Sequence, residues 1–398
     1  MKALLLESVH PDATAYLQTA GITVSTRPGA LDERELSEAL QGVQLLGIRS
    51  GTRVKQSVLA NATELIAVGA FCIGTNQVDL GAAAQQGVAV FNAPFSNTRS
   101  VVELALAEMI CLTRGLTAKN NALHSGVWDK SAKGSHEMRG RTLGIVGYGN
   151  IGSQLSVLAE ALGMRVVFFD TADRLPRGNA RSVGSIAELL EVADVVSLHV
   201  DGRVGNAGLF ESEQFAAMRP GAVFLNLSRG FVVEQGALAA HIRSGHIAGA
   251  AIDVFPVEPK AQGEPFESEL AGLANVILTP HVGGATEEAQ QHIGKFVAEK
   301  LCDYVATGSS ALSVNLPQTR LEGGADSHRL AHLHANTPGV LAKVNSVLAA
   351  HDVNIEGQVL STRDQLGYLL TDVGTDYAPE VVHDLNRMPE TVRLRVLS

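Results

Sequence analysis

The 398-residue sequence is poor in aromatic residues, which make up 5% of it, and it contains three cysteines. Cys72, Cys111 and Cys302 lie far apart and form no closely spaced pair. Neither a disulfide framework nor a zinc site is predicted from them, and no other metal site is predicted. We expect the three thiols to be packing residues, because free cysteine is readily buried.

Positive charge and long apolar runs are also scarce. The 31 Lys and Arg against 41 Asp and Glu give a formal charge of −10, whereas nucleic-acid binding needs a basic surface. No uncharged run approaches the roughly 18 residues that cross a bilayer, and Ala3–Leu6 is too short for a signal peptide. The sequence therefore predicts a cytoplasmic protein without nucleic-acid or membrane partners. A few arginines in a cleft could still bind a small anionic substrate.

Glycine, by contrast, is abundant, with 40 residues. Many glycines with few aromatics favour an α/β protein with tight strand-to-helix turns. In the first hundred residues, short apolar segments alternate with helical patterns, which predicts a parallel, doubly wound, flavodoxin-like lobe. The predicted strands of this lobe are Ala3–Leu6, Leu45–Ile48, Leu65–Val68 and Val88–Phe91.

A long helix is predicted next. Ser100 and Glu103 have the spacing of a capping box, in which each side chain bonds the backbone N–H of the other, and the apolar pattern runs to about Ala122.

A second strand–helix alternation then indicates a Rossmann-type lobe of six parallel strands. The predicted strands are Leu143–Val146, Arg165–Phe169, Val195–His199, Val223–Asn226, Ala248–Ile252 and Val276–Leu278. A helix from Glu287 to about Thr307 is predicted to return the chain to the first lobe.

The C-terminal part has the order βαββαβ, which is typical of a ferredoxin-like module. The stretch from Gly308 through Gly323 and Gly324 is interpreted as the linker before it. The predicted domains are therefore 1–97 with 285–315, 98–284, and 326–398.

The most informative motif is Gly147-Tyr148-Gly149-Asn150-Ile151-Gly152, a GxGxxG sequence between a strand and an amphipathic helix. Gly147 would allow the tight turn, Gly149 the approach of a pyrophosphate and Gly152 the packing of the helix on the sheet. Asp170 follows the next strand about twenty residues later, where a carboxylate accepts hydrogen bonds from ribose hydroxyls and repels a 2′-phosphate. The combination predicts an NAD site.

Three later strands end in polar residues, which predicts a cleft at the carboxyl edge of the sheet. His281 could accept the hydroxyl proton during hydride transfer, because imidazole titrates near neutrality. Glu258 would orient the ring and raise its pKa. Arg229 could bind a substrate carboxylate with its planar guanidinium.

These segments resemble the signatures of the D-2-hydroxyacid dehydrogenases, whose Arg, Glu and His catalytic set falls on Arg229, Glu258 and His281. Residues 71–79 and 91–100 resemble the bacterial branch that acts on 3-phosphoglycerate and ends in an ACT domain. The resemblance implies NAD-dependent oxidation of 3-phospho-D-glycerate to 3-phosphohydroxypyruvate in serine biosynthesis, with reduction of 2-oxoglutarate as a second activity. It also implies a homo-oligomer, with a tetramer expected.

The resemblance also implies site residues. Cofactor contacts are expected at the strand ends: Tyr148, Gly149, Asn150, Ile151, Asp170, His199, Val200, Ser228, Arg229, Asp253, His281, Gly283 and Gly284. Substrate contacts are expected at Arg49, Ser50, Arg53, Asn97 and Lys130. L-Serine is the expected effector of the ACT domain, bound by His334, Asn336 and Asn354.

The chain departs from the family pattern at three positions. Gly51 stands where a second arginine is expected, with Arg53 as a substitute, and Asp201 and Asn206 replace a proline and a threonine near the cofactor. Two alternatives stay open: a dehydrogenase of another hydroxyacid, such as glycerate or erythronate 4-phosphate, and a dinucleotide-sensing corepressor with the same core.

Overall fold

A computed structural model describes residues 1–259, 263–322 and 328–397 of the chain. They form two compact units, Met1–Ser96 with Gln290–Ser398, and Asn97–Ala289. Three sheets confirm the predicted α/β class with two parallel sheets and one antiparallel module. Within the described ranges, no helix combines the length and apolar character that a bilayer-spanning segment needs.

The first unit begins with a parallel five-stranded sheet in the flavodoxin-like order β2-β1-β3-β4-β5. Its strands are β1 (Lys2–Leu5), β2 (Thr23–Thr26), β3 (Leu45–Ile48), β4 (Ala67–Ala70) and β5 (Ala89–Phe91). Every residue of β3 and β4 is buried, which explains their continuous apolar runs. The edge strand β2 was missed, because its side chains are mostly exposed hydroxyl groups.

Short helices cover this sheet: α1 (Pro11–Thr19), α2 (Glu33–Ala39), α3 (Gln56–Asn61) and α4 (Leu80–Gln85). Helix α2 begins with a capping box, in which Asp32 accepts from the Glu35 backbone at 2.8 Å and Glu35 accepts from the Asp32 backbone at 3.2 Å. These reciprocal bonds satisfy two backbone donors that the helix itself cannot pair.

The predicted capping box at Ser100 and Glu103 is wrong. The helix α5 (Thr98–Arg114) starts after Asn97, the Ser100 hydroxyl lies 2.8 Å from that of Thr286, and Glu103 pairs with Arg99. Gly115, at a φ of 55°, then breaks the long predicted helix, and α6 (Leu116–His124) follows.

The second unit contains a parallel sheet of seven strands in the order β12-β11-β10-β9-β6-β7-β8. The strands are β6 (Thr142–Val146), β7 (Arg165–Phe169), β8 (Arg181–Ser182), β9 (Val195–Leu198), β10 (Ala222–Asn226), β11 (Ile247–Ile252) and β12 (Val276–Leu278). The first six reproduce the Rossmann order 3-2-1-4-5-6, and β12 extends the edge. The predicted count of six omitted β8, whose two residues are exposed.

The helices of this unit are α7 (Asn150–Ala161), α8 (Ile186–Val192), α9 (Ser212–Ala217) and α10 (Gln235–Arg243), with short 3₁₀ turns at Val204–Asn206 and Gly230–Val232. Beyond the last residue of helix α7, Gly163 has a φ of 76°, and a hydrogen bond from Met164 N–H to Ala159 O closes the last turn. Helix α11 (Glu287–Thr307) has the predicted bounds.

The C-terminal sheet is antiparallel, with the order β14-β15-β13-β16 expected of a ferredoxin-like module. Its elements are β13 (His328–Ala335), α12 (Val340–Ala350), β14 (Ile355–Arg363), β15 (Leu366–Val373), α13 (Pro379–Arg387) and β16 (Thr391–Leu397).

The predicted linker begins as ordered structure. Ser310 and Ser313 are fully buried. The Asn315 side chain accepts from the Val90 N–H of β5 at 2.8 Å and donates to the carbonyl of Val88, the residue before that strand, at 2.9 Å. Gly323 and Gly324 lie outside the described residues.

Candidate functional site

The turn between β6 and α7 has the shape that a dinucleotide requires. Gly147 has a φ of 93°, and a Cβ built there would lie 2.6 Å from the His199 carbonyl oxygen. A Cβ on Gly152 would lie 2.3 Å from the Gly147 carbonyl oxygen, so the helix packs closely only because both positions are glycine. A Cβ on Gly149 would meet nothing within 4 Å, which leaves that backbone open to a ligand.

Asp170 lies at the end of β7 with its carboxylate turned back to this turn. One oxygen accepts from Tyr148 N–H at 2.8 Å, the other accepts from Ala172 N–H at 2.9 Å, and Arg174 Nε lies 3.5 Å from the first. Carboxylate oxygens accept more than one hydrogen bond, so capacity remains for ribose hydroxyls. The residues therefore fit an unphosphorylated dinucleotide.

Tyr148, a predicted cofactor contact, can contact a ligand only through its backbone. Its ring is buried and stacks on Phe168 with centroids 3.7 Å apart, and its hydroxyl lies 2.7 Å from that of Ser156. The neighbouring predicted contacts Asn150 and Ile151 open helix α7, whose N-terminal dipole favours an anionic group there.

His281 and Glu258 form the predicted pair. His281 Nδ1 lies 2.9 Å from Oε2 and 3.1 Å from Oε1 of Glu258. This hydrogen bond raises the pKa of the imidazole, although burial acts in the other direction. Burial pushes the pKa of Glu258 upward, but its hydrogen bonds to His281 and to the Phe255 N–H outweigh burial and lower it. With Nδ1 held by the carboxylate, Nε2 can exchange a proton with a substrate.

Arg229 lies within electrostatic range of both members of the pair, since its charge lowers the pKa of His281 and of Glu258. Its backbone carbonyl accepts from Asn226 Nδ2 at 3.0 Å, and its Nη1 donates to Ser228 O at 2.6 Å. A Cβ on Gly202 would lie 3.2 Å from Arg229 Nε, so the loop after β9 packs against the guanidinium.

That loop contains Asp201 and Asn206, two of the three positions at which the sequence departs from the expected pattern. Asp201 accepts two hydrogen bonds from Arg203 Nε and one from Nη2, and Asn206 Nδ2 donates to the Asp201 carbonyl at 3.0 Å. An internal polar network thus stabilises the loop at the two positions where the resemblance led us to expect proline and threonine.

Asp253 is buried and organises the turn that carries His281. Its carboxylate accepts from Thr279 Oγ1 at 2.6 Å and from the backbone N–H groups of Val282 and Gly283, each at 2.8 Å. His281 has a φ of 53°, an uncommon conformation outside glycine that often marks functional sites. Asp253, predicted as a cofactor contact, thus holds the turn that carries His281.

Asn97 packs on the same turn, because a Cβ on Gly284 would lie 2.1 Å from Asn97 Nδ2. The Asn97 Oδ1 atom is buried and accepts no hydrogen bond within the described part of the chain. Asn97, a predicted substrate residue, thus lies beside the His281 turn within the second unit.

The remaining cofactor candidates line the strand ends. His199 Nε2 lies 2.9 Å from Ser197 Oγ, and burial lowers the pKa of His199 to about 4, so this ring is neutral at physiological pH. Val200 is half-buried, and Ser228 bonds Asn226 Oδ1 through its N–H and its hydroxyl.

The other predicted substrate residues belong to two different segments of the chain. Lys130 is exposed on the segment after α6, and Arg49, Ser50 and Arg53 belong to the first unit, in the loop that follows β3.

Two of the three effector candidates, His334 and Asn336, lie at the β13–α12 turn. His334 is buried, with its Nδ1 atom 2.8 Å from Ala335 O, and its ring leaves no room for a side chain at Gly367. Asn336 is exposed and donates through its side chain to Asp364 O at 3.3 Å, and Asn354 is exposed ahead of β14.

Sequence reasoning missed Glu108. It lies on the buried stripe of α5 with Val101, Ala105 and Leu112, and neither carboxyl oxygen has a hydrogen-bond partner in the described ranges. Burial, with a smaller contribution from the charge of Asp253, raises the pKa of Glu108 to about 8. An acid on an apolar helical stripe was the signal that could have found it.

A cavity of about 630 Å³ lies at the opposite edge of the seven-stranded sheet. Residues that precede the strands line it, including Arg141, Asp194 and Gly221, and none of the predicted site residues does so. Since ligands of open α/β sheets bind at the carboxyl edge, the cavity is not the candidate active site.

A Rossmann sheet with a dinucleotide turn, a carboxylate after the second strand and a His–Glu pair beside an arginine together define a D-2-hydroxyacid dehydrogenase. In agreement, residues 106–283 match the family model of the D-isomer specific 2-hydroxyacid dehydrogenase NAD binding domain. Residues 330–393 match the model of the AHAS small subunit-like ACT domain. The predicted NAD cofactor and C-terminal ACT module are thereby confirmed.

Comparison with individual relatives shows which family of D-2-hydroxyacid dehydrogenases the chain belongs to. The chain is 46% identical to D-3-phosphoglycerate dehydrogenase of Escherichia coli K12 and 48% identical to that of Haemophilus influenzae, covering 100% of this chain and 97% of each relative. The crystal structure of the TT0316 protein from Thermus thermophilus aligns with a TM-score of 0.69 and 30% identity over 76% of this chain and 96% of that one. The chain belongs to the D-3-phosphoglycerate dehydrogenase family.

Proposed function

We propose that this protein oxidises 3-phospho-D-glycerate to 3-phosphohydroxypyruvate with NAD as hydride acceptor, in the first step of L-serine biosynthesis. The observation that carries the proposal is the full-length identity of 46–48% to relatives named for this activity. The His281–Glu258 pair, the element that the chemistry needs, supports it.

In the oxidation, His281 Nε2 accepts the proton of the substrate hydroxyl as the carbonyl forms. Glu258 stabilises the imidazolium that results and keeps the ring in place through Nδ1. Arg229 binds the substrate carboxylate and polarises the neighbouring carbonyl in the reverse direction. Bound NAD supplies the ring carbon that takes the hydride.

The Gly149 backbone and the N-terminus of α7 would receive the pyrophosphate, and Asp170 would hold the adenosine ribose. His199, Val200 and Ser228 line the strand ends beyond this turn. Gly283 and Gly284 lie next to His281 and keep that turn compact.

The test is the absorbance of reduced nicotinamide with purified protein and 3-phosphoglycerate, or with 3-phosphohydroxypyruvate in reverse. Removing a general base costs roughly 10²–10⁴ in rate, so His281→Ala should lower kcat by that factor. His383→Ala, at an exposed histidine of α13, is the matched control and should keep full activity. Activity on other hydroxyacids alone would contradict the substrate assignment, and the same assay with 2-oxoglutarate tests the second activity.

We further propose a cytoplasmic homotetramer whose ACT modules bind L-serine through His334, Asn336 and Asn354. The turn supports this proposal, because Gly339 at a φ of 89° permits close backbone approach beside the exposed Asn336 amide. Serine would lower activity by favouring one arrangement of domains over another. Millimolar serine should inhibit the wild type and the control Asn61→Ala, but not Asn336→Ala. Unchanged activity together with no serine binding by calorimetry would contradict the regulatory proposal.

A further inference from the structure

Glu7 is the residue that organises the loop after β3. Its Oε1 atom accepts hydrogen bonds from the backbone N–H groups of Arg49 at 3.1 Å and Thr52 at 2.8 Å. Its Oε2 atom accepts from Gly51 N–H at 2.7 Å. One carboxylate thus satisfies three backbone donors of a single loop that lies more than 40 residues away in sequence. We call residues 49–53 the substrate loop.

Glu7 occupies the point of the first sheet where ligands of open α/β proteins bind. It follows β1, the substrate loop follows β3, and the strand order β2-β1-β3-β4-β5 reverses between these two neighbours. Glu7 and Ser8 have φ values of 60° and 51°. Such conformations are costly for residues other than glycine and persist where the surroundings impose them, often at functional sites. Here Glu7 N–H bonds Gly29 O at 3.3 Å, and the Ser8 hydroxyl bonds Pro28 O at 3.2 Å.

The substrate loop carries two guanidinium groups without an acidic partner. Within the described ranges, no carboxylate lies within ion-pair distance of Arg49 or Arg53, and the Glu7 carboxylate is engaged by backbone donors instead. At Gly51 a Cβ would approach Glu7 Oε2 to 3.0 Å and Ala30 Cβ to 3.2 Å, so glycine leaves the Glu7 contact undisturbed. The loop therefore presents positive charge to solvent on a fixed backbone.

We propose that Glu7 is a positioning residue that holds the substrate loop so that Arg49 and Arg53 bind the phosphate of the substrate. The inference deepens the proposed function and rests on it. The proposed substrate carries a phosphate in addition to its carboxylate, and the phosphate needs a cationic site of its own. Planar guanidinium groups bind phosphate oxygens bidentately, and that geometry depends on where the loop backbone holds them.

The test compares a phosphorylated substrate with its unphosphorylated counterpart in the Glu7→Gln variant. In this variant an NH₂ group replaces one carboxylate oxygen of Glu7. A donor then faces a backbone N–H donor of the substrate loop, so a hydrogen bond is lost. A tenfold change corresponds to about 1.4 kcal/mol, close to the lower end of what a hydrogen bond to a charged group contributes. We expect KM for 3-phosphohydroxypyruvate to rise about tenfold with little change in kcat, and kcat/KM for hydroxypyruvate to stay at the wild-type value. Binding of NADH, followed by its fluorescence, should also be unchanged.

Glu38→Gln, at an exposed acid of α2, is the matched control and should behave as wild type. In an Arg53→Ala background the Glu7→Gln effect should largely disappear, because both changes act on one phosphate contact. An equal loss on both substrates, or no loss on either, would overturn the inference while leaving the proposed function intact. Wild-type protein that turns over hydroxypyruvate but not the phosphorylated substrate would overturn the proposed function and this inference with it.

Discussion

Replacing Glu258 with Gln removes the negative charge from His281 and changes the volume of the side chain little. Glu258 Oε2 lies 2.9 Å from His281 Nδ1, and the pair raises the pKa of the imidazole. Oxidation needs the neutral ring, so a raised pKa places the rise in oxidation rate at higher pH. Without the carboxylate, the rise in oxidation rate should move to lower pH. The protonated imidazole of His281, which the reduction needs, should also lose its proton at lower pH.

The magnitude follows from the geometry and the exposure of the pair. A charge-assisted hydrogen bond is worth about 1.5–3 kcal/mol, but the His281 side chain is 50% exposed, so solvent screening reduces the value to about 1 kcal/mol. The loss of ring orientation adds a kinetic cost, because misplacing a catalytic group by about 1 Å can lower the rate about 10²-fold. We therefore expect the alkaline plateau of kcat to fall between roughly tenfold and a hundredfold.

The assay is the pH dependence of kcat/KM in both directions, for wild type and for Glu258→Gln, with reduced nicotinamide absorbance as the signal. Glu264→Gln, six residues further along the chain, is a control for a change of net charge. If the midpoint of the variant stays where it is in the wild type or moves to higher pH, the carboxylate does not stabilise the imidazolium and the reasoning is refuted.

Three further predictions concern the second unit. The pKa of Glu108 is raised to about 8, so its contribution to stability is complete below the usual value of 4.5 and is lost as pH rises towards 8. The free energy of unfolding of Glu108→Gln, measured relative to that of the wild type, should therefore rise by roughly 3 kcal/mol between pH 5 and pH 8. If the difference in Tm between variant and wild type does not widen with pH, this prediction is wrong. Gly152→Ala should cost about 1–3 kcal/mol and weaken NADH binding in a fluorescence titration, whereas Gly29→Ala, where a Cβ meets nothing within 4 Å, should do neither. Asp170→Ala should lower the kcat/KM ratio of NAD to NADP by about tenfold, because it removes a ribose acceptor and the repulsion of a 2′-phosphate. An unchanged ratio would show that Asp170 does not select the cofactor.

Local patterns in the chain predicted most of the architecture. The strands β3, β4 and β6 are buried on both faces, so their apolar runs stand out in the sequence. The GxGxxG turn was equally visible, because the tight turn and the close helix packing each require glycine at a defined spacing. The edge strands β2 and β8 were not predicted, since exposed strands need no apolar side chains.

The sequence alone determined the fold class and the dinucleotide turn, and it predicted the set of Arg229, Glu258 and His281, because those signals are local in the chain. Only the tertiary structure decided what Asp253, Glu108 and Glu7 do. Asp253 bonds a turn about 30 residues away, Glu108 is buried against a sheet from a distant segment, and Glu7 bonds a loop more than 40 residues away. The reach and burial of a carboxylate depend on which distant backbone the fold brings to it, and no periodicity in the sequence records that.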